Sequence, residues 1–259
     1  MIAIHPLRAA ACAAVALLAA GCATAHAPPA APIATSRLGI TRSTGTVPAG
    51  VVQLEAGYSR ARLDQRTRHA FGETLVRVGL DARTELRGSV PSYMRTVTPA
   101  TTMQGMGDAA LSVKHRLRDP AGWVPAVALT AGATLPTGAK GVGAGDFQPE
   151  GAVSAEWELP RGLRALGMAT WRDAVVSGDR HGMATLSAAG RTSIGSAAAG
   201  QLEYARTTST RAGAADVSQL RATAALRLGP NLQLDGWAGR ATSAGKHEYL
   251  LGIGFARRW

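Results

Sequence analysis

The chain ends on Tyr249-Leu250-Leu251-Gly252-Ile253-Gly254-Phe255-Ala256-Arg257-Arg258-Trp259. Tyr249, Leu251, Ile253 and Phe255 share one parity, against Glu248, Leu250, Gly252 and Gly254 on the other. Side chains of a strand alternate between its two faces, so this reads as a strand with one apolar face and one mixed face. Trp259 and Arg257 lie on the apolar parity, where the arginine stem can carry its charge to an interface. A terminal aromatic on an alternating last strand has the form of the signal read by the machinery that assembles outer-membrane barrels. Trp259 and Phe255 are expected to carry it.

Upstream, the same period of two recurs. Val52, Leu54, Ala56 and Tyr58 alternate with Gln53, Glu55, Gly57 and Ser59, and Val76 and Val78 with Leu75, Arg77 and Gly79. Leu111 and Val113 oppose Ser112 and Lys114; Val127 and Leu129 oppose Ala128 and Thr130; Leu220, Ala222 and Ala224 oppose Gln219, Arg221 and Thr223. The facing of 163–171 stays open. The pattern predicts twelve strands, most of them about nine to twelve residues long, the length a tilted strand needs to cross a bilayer. Short connections at 81–83, 119–122, 160–162, 192–194 and 229–231 alternate with long segments near 60–70, 92–105, 137–147, 172–182, 206–216 and 240–247. Short periplasmic turns and long extracellular loops are the habit of an outer-membrane barrel; a soluble β-sandwich has no reason to alternate them. Aromatics gather at strand ends: Tyr58, Phe71, Tyr93, Trp171, Tyr204, Trp237 and Tyr249 toward the long connections, Trp123, Trp157 and Trp259 toward the short ones. Amphipathic rings collect at membrane interfaces in this way.

The fold class expected is all-β, an antiparallel transmembrane β-barrel of about twelve strands over residues 49–259, behind a signal peptide and a disordered leader. Arg8, the apolar run Ala9–Ala20 and the small residues that follow form the signal peptide, residues 1–22. Ala19-Ala20-Gly21-Cys22 resembles a lipobox that would acylate Cys22, whereas Ala23-Thr24-Ala25 resembles an ordinary exit at 25. Both stay open, and either takes the chain out of the cytoplasm of a Gram-negative cell. Residues 23–48, rich in Ala, Pro, Ser and Thr, read as a flexible periplasmic leader.

Composition excludes other classes. An apolar share of 46% is too high for a disordered chain. Past residue 22 no apolar run approaches about 18 residues, which excludes a bundle of membrane helices. Two cysteines, both near the N-terminus, exclude a disulfide scaffold. The net charge of +11 comes from arginines scattered singly, so it does not indicate nucleic acid.

The polar parity carries Glu55, Glu73, Arg77, Glu85, Arg87, Lys114, Arg116, Glu150, Glu156, Glu203, Arg221, Arg227 and Asp235, all expected to face the lumen. Unpaired buried ions are costly, so these need water or one another. A wet lumen that tunes passage and a network of ion pairs that blocks a narrow barrel both stay open. Arg60, Arg62, Arg66 and Arg68, with a single Asp64 among them, are expected to contact lipopolysaccharide phosphates, which guanidinium groups grip bidentately.

Three stretches carry a likeness to a known family. Val47-Pro48-Ala49-Gly50 with Gln53-Leu54-Glu55 looks like its opening. Gly107-Asp108 followed by Leu111-Ser112-Val113-Lys114-His115-Arg116-Leu117 is similar to its central strand, and Leu135-Pro136-Thr137-Gly138 leading to Gly143-Ala144-Gly145-Asp146-Phe147-Gln148 is the closest match. The chain resembles, over about residues 40–259, the outer-membrane barrel family named for the meta-pathway of phenol degradation. The resemblance implies residence in the outer membrane and movement of small hydrophobic or aromatic solutes; it supplies no catalytic residues.

Signs of catalysis are missing from the residues themselves. No histidine stands at a metal spacing from Cys or another His. Gly141-x-Gly143-x-Gly145 has no following Lys-Ser/Thr and opens no helix, so it reads as a flexible loop. No enzyme and no cofactor are expected; the partners expected are outer-membrane lipid and lipopolysaccharide, the assembly machinery and small apolar solutes.

Overall fold

The structure is a computed structural model and describes residues 33–37, 39–176 and 178–259. The signal peptide and Cys22 lie outside the described residues. The strands are β1 (Val52–Leu63), β2 (Arg66–Gly79), β3 (Thr84–Ser89), β4 (Tyr93–Val97), β5 (Thr102–Met106), β6 (Ala110–Arg118), β7 (Ala126–Thr134), β8 (Gln148–Glu158), β9 (Leu163–Val176), β10 (Asp179–Ile194), β11 (Ala198–Ser209), β12 (Val217–Arg227), β13 (Leu232–Ser243) and β14 (Lys246–Arg258). The named strands all pair antiparallel, and β1 closes the sheet by pairing with both β2 and β14.

The barrel has twelve staves, because β3 and β4 are two halves of one stave and β5 and β6 of the next. β2 pairs with β3 through Leu75–Gly79 and with β4 through Thr67–Phe71. The break follows from Pro91, which has no N–H for the ladder, and from a bulge at Gly72-Glu73 on the facing strand. Beyond the break, β4 and β5 rise as a hairpin that the sequence reading treats as loop. Residues 135–147 cover it: Ala139 N–H donates to the Met106 carbonyl, and Asp108 accepts the N–H groups of Gly138 and Ala144 at 2.7 Å each. The most recognisable motif of the sequence is thus a staple that closes a sheet edge.

Trp259 and Val52 exchange backbone hydrogen bonds, so both chain ends of the barrel meet at the end of the tight turns. That is the periplasmic end of an outer-membrane barrel. Asp81 shapes one such turn by accepting the N–H groups of Arg83 and Thr84, contacts that hold its carboxyl below the ordinary carboxylate range. At the opposite end most long segments are not loops. Asp64-Gln65 and Ala244-Gly245 are two-residue turns on strands that continue past the bilayer, and both Ala244 and Gly245 take the positive φ of a type I′ turn. Pairing continues there because a ladder needs hydrogen-bond partners, not lipid.

The outer surface is the apolar parity: Leu111, Val153, Leu202, Leu220 and Ile253 are exposed. The inner surface carries most of the buried polar groups. On β9 the large apolar residues Leu166 and Met168 are buried, with Ala174, and Trp171 is exposed, which is why polarity alone left that strand unreadable.

Candidate functional site: the filled interior of the barrel

The composition of residues 33–47 suggests a flexible leader, yet the described part of it runs inside the barrel. Ile33, Thr35, Thr41, Thr44 and Val47 are all under 5% exposed. An extended segment without ladder partners must satisfy its peptide groups elsewhere. Here the interior charges do so. Glu55 accepts the N–H groups of Ser36 and Arg37, Glu203 those of Ile40 and Thr41, Glu156 that of Thr44 and Glu85 that of Val47. Cations and amides take the carbonyls: Gln53 and Arg77 donate to Ala34, and Lys114 to Ser43 and Gly45. The segment enters from the periplasmic end, where Thr35 meets Gln233. It turns near Gly39 against Glu203 and returns past Glu156 and Glu85 to the start of β1.

Its two arginines lock the turn. Arg37 reaches Glu73 at 3.3 Å and Asp235 at 3.7 Å, and donates to the Ile253 carbonyl. Arg42 reaches Glu150 at 3.2 Å, which also binds Arg172. Gly57 leaves the room that Arg37 occupies, since a Cβ there would lie 2.1 Å from its Nη2. Sequence reading misses Arg37 and Arg42 because their stretch shows no periodicity.

The thirteen charged residues of the polar parity take these places. Glu55, Glu85, Glu156 and Glu203 bind backbone of the inserted segment, and Glu73, Asp235 and Glu150 bind its arginines. Arg77 joins Glu55 (3.0 Å) to Glu85 (2.8 Å), Arg87 binds Glu85 (2.6 Å), and Lys114 holds two carbonyls. Arg221 lies 3.6 Å from Glu203 and 3.9 Å from the Trp237 ring centre. Arg116 and Arg227 line the periplasmic mouth.

Three expected placements change. Trp237 shares the inward parity of Gln233 and Asp235 and lies against Gly252, so it belongs to the interior and not to the outer aromatic belt. Arg172, which begins the segment expected as an extracellular loop at 172–182, instead lies on β9 and pairs with Glu150 on the inner face of the wall. The four arginines at 60–68 are not one cluster: Arg60 pairs across the ladder with His69, and Arg62 with Thr67, on the face of Tyr58 and Phe71. Arg66 and Arg68 fall on the inner face with the buried Ala61 and Ala70. Parity flips on β2 at the Gly72-Glu73 bulge, which no alternation count across it can follow.

The inserted segment leaves space on both sides. Toward the cell exterior a cavity of about 370 Å³ lies over Arg37 and Gly39, walled by Arg68, Arg221, Trp237 and Glu248. A second, of about 250 Å³, lies by Arg42, Arg87 and Arg172. Toward the periplasm a vestibule of about 450 Å³ lies between the segment and the wall, bordered by β1, β2, β6 and the strands from β9 to β14. No group of three or more His, Cys, Asp or Glu among the described residues could hold a metal ion.

Solved structures share this architecture. An outer membrane channel from Pseudomonas putida F1 matches with a TM-score of 0.63 at 16% identity, covering 83% of this chain and 98% of its own. The NanC porin matches at 0.57 and 10% identity, over 79% and 98%, and the KdgM porin at 0.53 and 8% identity, over 77% and 97%. At these identities the likeness is one of fold, a closed barrel of the outer membrane. Among curated proteins none matches the sequence. The family model described as "Putative MetA-pathway of phenol degradation" matches residues 35–259, from the inserted segment to the last strand, and the chain belongs to that family.

Proposed function

We propose that the barrel passes small hydrophobic or aromatic solutes across the outer membrane. One observation carries this reading: cavities lie on both sides of an internal segment that is held by hydrogen bonds and ion pairs, with no strand pairing of its own. Such bonds to charged groups are each worth about 1.5–3 kcal/mol and can be exchanged for water one at a time. The family's association with phenol degradation gives the solute class. The chemistry is movement without bond making. The number of bonds on the segment favours a second reading, a structural or adhesive barrel with a blocked lumen. Conductance of the purified protein in a planar bilayer separates the two. Steps of current that fall silent when a small aromatic is added support passage; silence in every bilayer that contains folded protein supports the blocked form. Growth of a deletion strain on aromatic carbon sources then narrows the solute.

The outer wall supports a lipid partner as well. Row by row across β1, β2 and β4, the aromatics Tyr58, Phe71 and Tyr93 stand beside the basic row Arg60, His69 and Arg95, and Arg62 stands beyond. A belt of rings marks the interface, so the basic row sits at the depth of lipopolysaccharide phosphates. Replacing Arg60 and Arg62 together with Gln lowers the lipopolysaccharide that co-purifies; replacing the inward Arg66 and Arg68 leaves it unchanged. Equal retention by both pairs refutes the assignment.

A further inference from the structure

We propose that the periplasmic vestibule is a binding site for small aromatic carboxylates. The proposal rests on the passage reading and names a class of solute for it. Among the described residues, six arginines line the vestibule, Arg77, Arg116, Arg164, Arg191, Arg227 and Arg258, and no Asp or Glu does. Some of that charge is already met. Arg77 binds Glu55 and Glu85, Arg164 binds Glu156 and Glu158, and Arg116 lies 3.3 Å from Asp119.

Arg191 and Arg227 differ. Among the described residues neither has a carboxylate within 4.0 Å. Arg191 spends two donors on one neutral acceptor, the Gln201 Oε1, at 2.9 and 2.7 Å. Arg227 donates to the Ser196 carbonyl at 2.9 Å, and its Nε is buried with no partner among the described residues. They sit on β10 and β12, on either side of β11. Half-buried guanidinium groups whose hydrogen bonds go only to neutral acceptors favour an anion, even with Glu156 and Glu203 acting on Arg191 from beyond ion-pair distance, and their planar fork suits the two oxygens of a carboxylate.

The facing wall carries no charge. It is the inserted segment, which borders the space with the exposed Ala34 and Pro48, with Gly45 and Thr46, and with the edges of the nearly buried Ile33 and Val47. A simple inorganic anion would satisfy the arginines and leave that wall wet. A neutral aromatic would cover the wall and leave the arginines without a counter-charge. A ring bearing a carboxylate meets both, and about 450 Å³ is within the size of small-molecule sites. Ile33 and Ala34 belong to the ingoing limb of the segment and Val47 and Pro48 to the outgoing one, so an occupant would touch both limbs and the barrel wall.

The test uses the purified full-length protein and titration calorimetry with benzoate, benzyl alcohol and inorganic phosphate. Benzoate is expected to bind saturably, with the other two weaker by about tenfold or more, the loss of one charge-assisted bond or of the apolar contact. Arg191→Gln and Arg227→Gln are each expected to weaken benzoate by about tenfold, while Arg180→Gln, a rim residue paired with Asp146 and Asp173, leaves it unchanged. Heat-modifiable mobility checks that each variant is a folded barrel. If a variant does not fold, the wild-type comparison of the three probes still decides. No benzoate binding, equal binding of benzoate and phosphate, or full binding by both folded variants overturns the proposal. Absent benzoate binding in protein that conducts sinks this inference alone. Benzoate binding in protein that never conducts sinks the passage reading and leaves the site.

Discussion

Glu85 is fully buried and takes bonds from three directions: Arg77, Arg87 and the N–H of Val47. It ties the wall to the inserted segment through a group that would be expensive alone. Removing one member of a buried ion network leaves the others without a counter-charge, at a cost of about 3–5 kcal/mol. Glu85→Ala is therefore expected to lower stability by about that much, measured by reversible urea unfolding in lipid vesicles. A change below about 1 kcal/mol would mean that water already serves the two arginines. Gly57 poses the converse case, in which space and not charge is the requirement. Gly57→Leu puts a side chain where the Arg37 guanidinium lies. The barrel is expected to stay folded while Arg37 and Arg42 become open to trypsin. Wild-type resistance in the variant would show that the segment does not depend on that seat.

Strand faces govern the next scale. On β8, Val153 lies between Trp157 near the periplasmic turn and Gly151, whose ladder partner is Trp171. Its ladder partner on β7, Leu129, is 40% exposed on the same outer face, so both stand inside the band those rings bound. Leu129→Arg is expected to cost about 2–4 kcal/mol, whereas Thr208→Arg, exposed on β11 beyond Tyr204, should cost about 0–1 kcal/mol. Equal costs in the same vesicle assay would put Leu129 outside the hydrocarbon. Such depths and faces follow from parity and are legible in the sequence. Parity fails where an element departs from its assumptions. The Gly72-Glu73 bulge reverses β2, Leu166 and Met168 turn apolar groups inward, and Trp237 folds under Arg221. Each depends on what lies across the barrel, which is not written in the strand itself.

At the scale of the whole molecule, closure joins the two ends of the barrel, since the backbone of Trp259 meets that of Val52. Deleting Trp259 is expected to lower the amount of heat-modifiable barrel in outer membranes while secretion continues; an unchanged amount would separate the terminal aromatic from assembly. The deletion also removes the last rung of the seam, so the purified variant, refolded in vitro, should lose little stability if the signal alone is at stake. By itself the sequence determined that the chain is a barrel of twelve staves, which face of most of its strands meets lipid, and where the barrel's ends lie. Those properties are local: a period of two, the turn residues, and the rings at strand ends all act within about a dozen residues. Only the tertiary structure decided where the interior charges find their partners. Glu203 meets Ile40 across 163 residues of sequence, and Glu156 meets Thr44 across 112. A Ser- and Thr-rich stretch with no pattern of its own looks like a leader, because what orders it is a set of carboxylates and guanidinium groups contributed by staves that become neighbours only when the sheet closes.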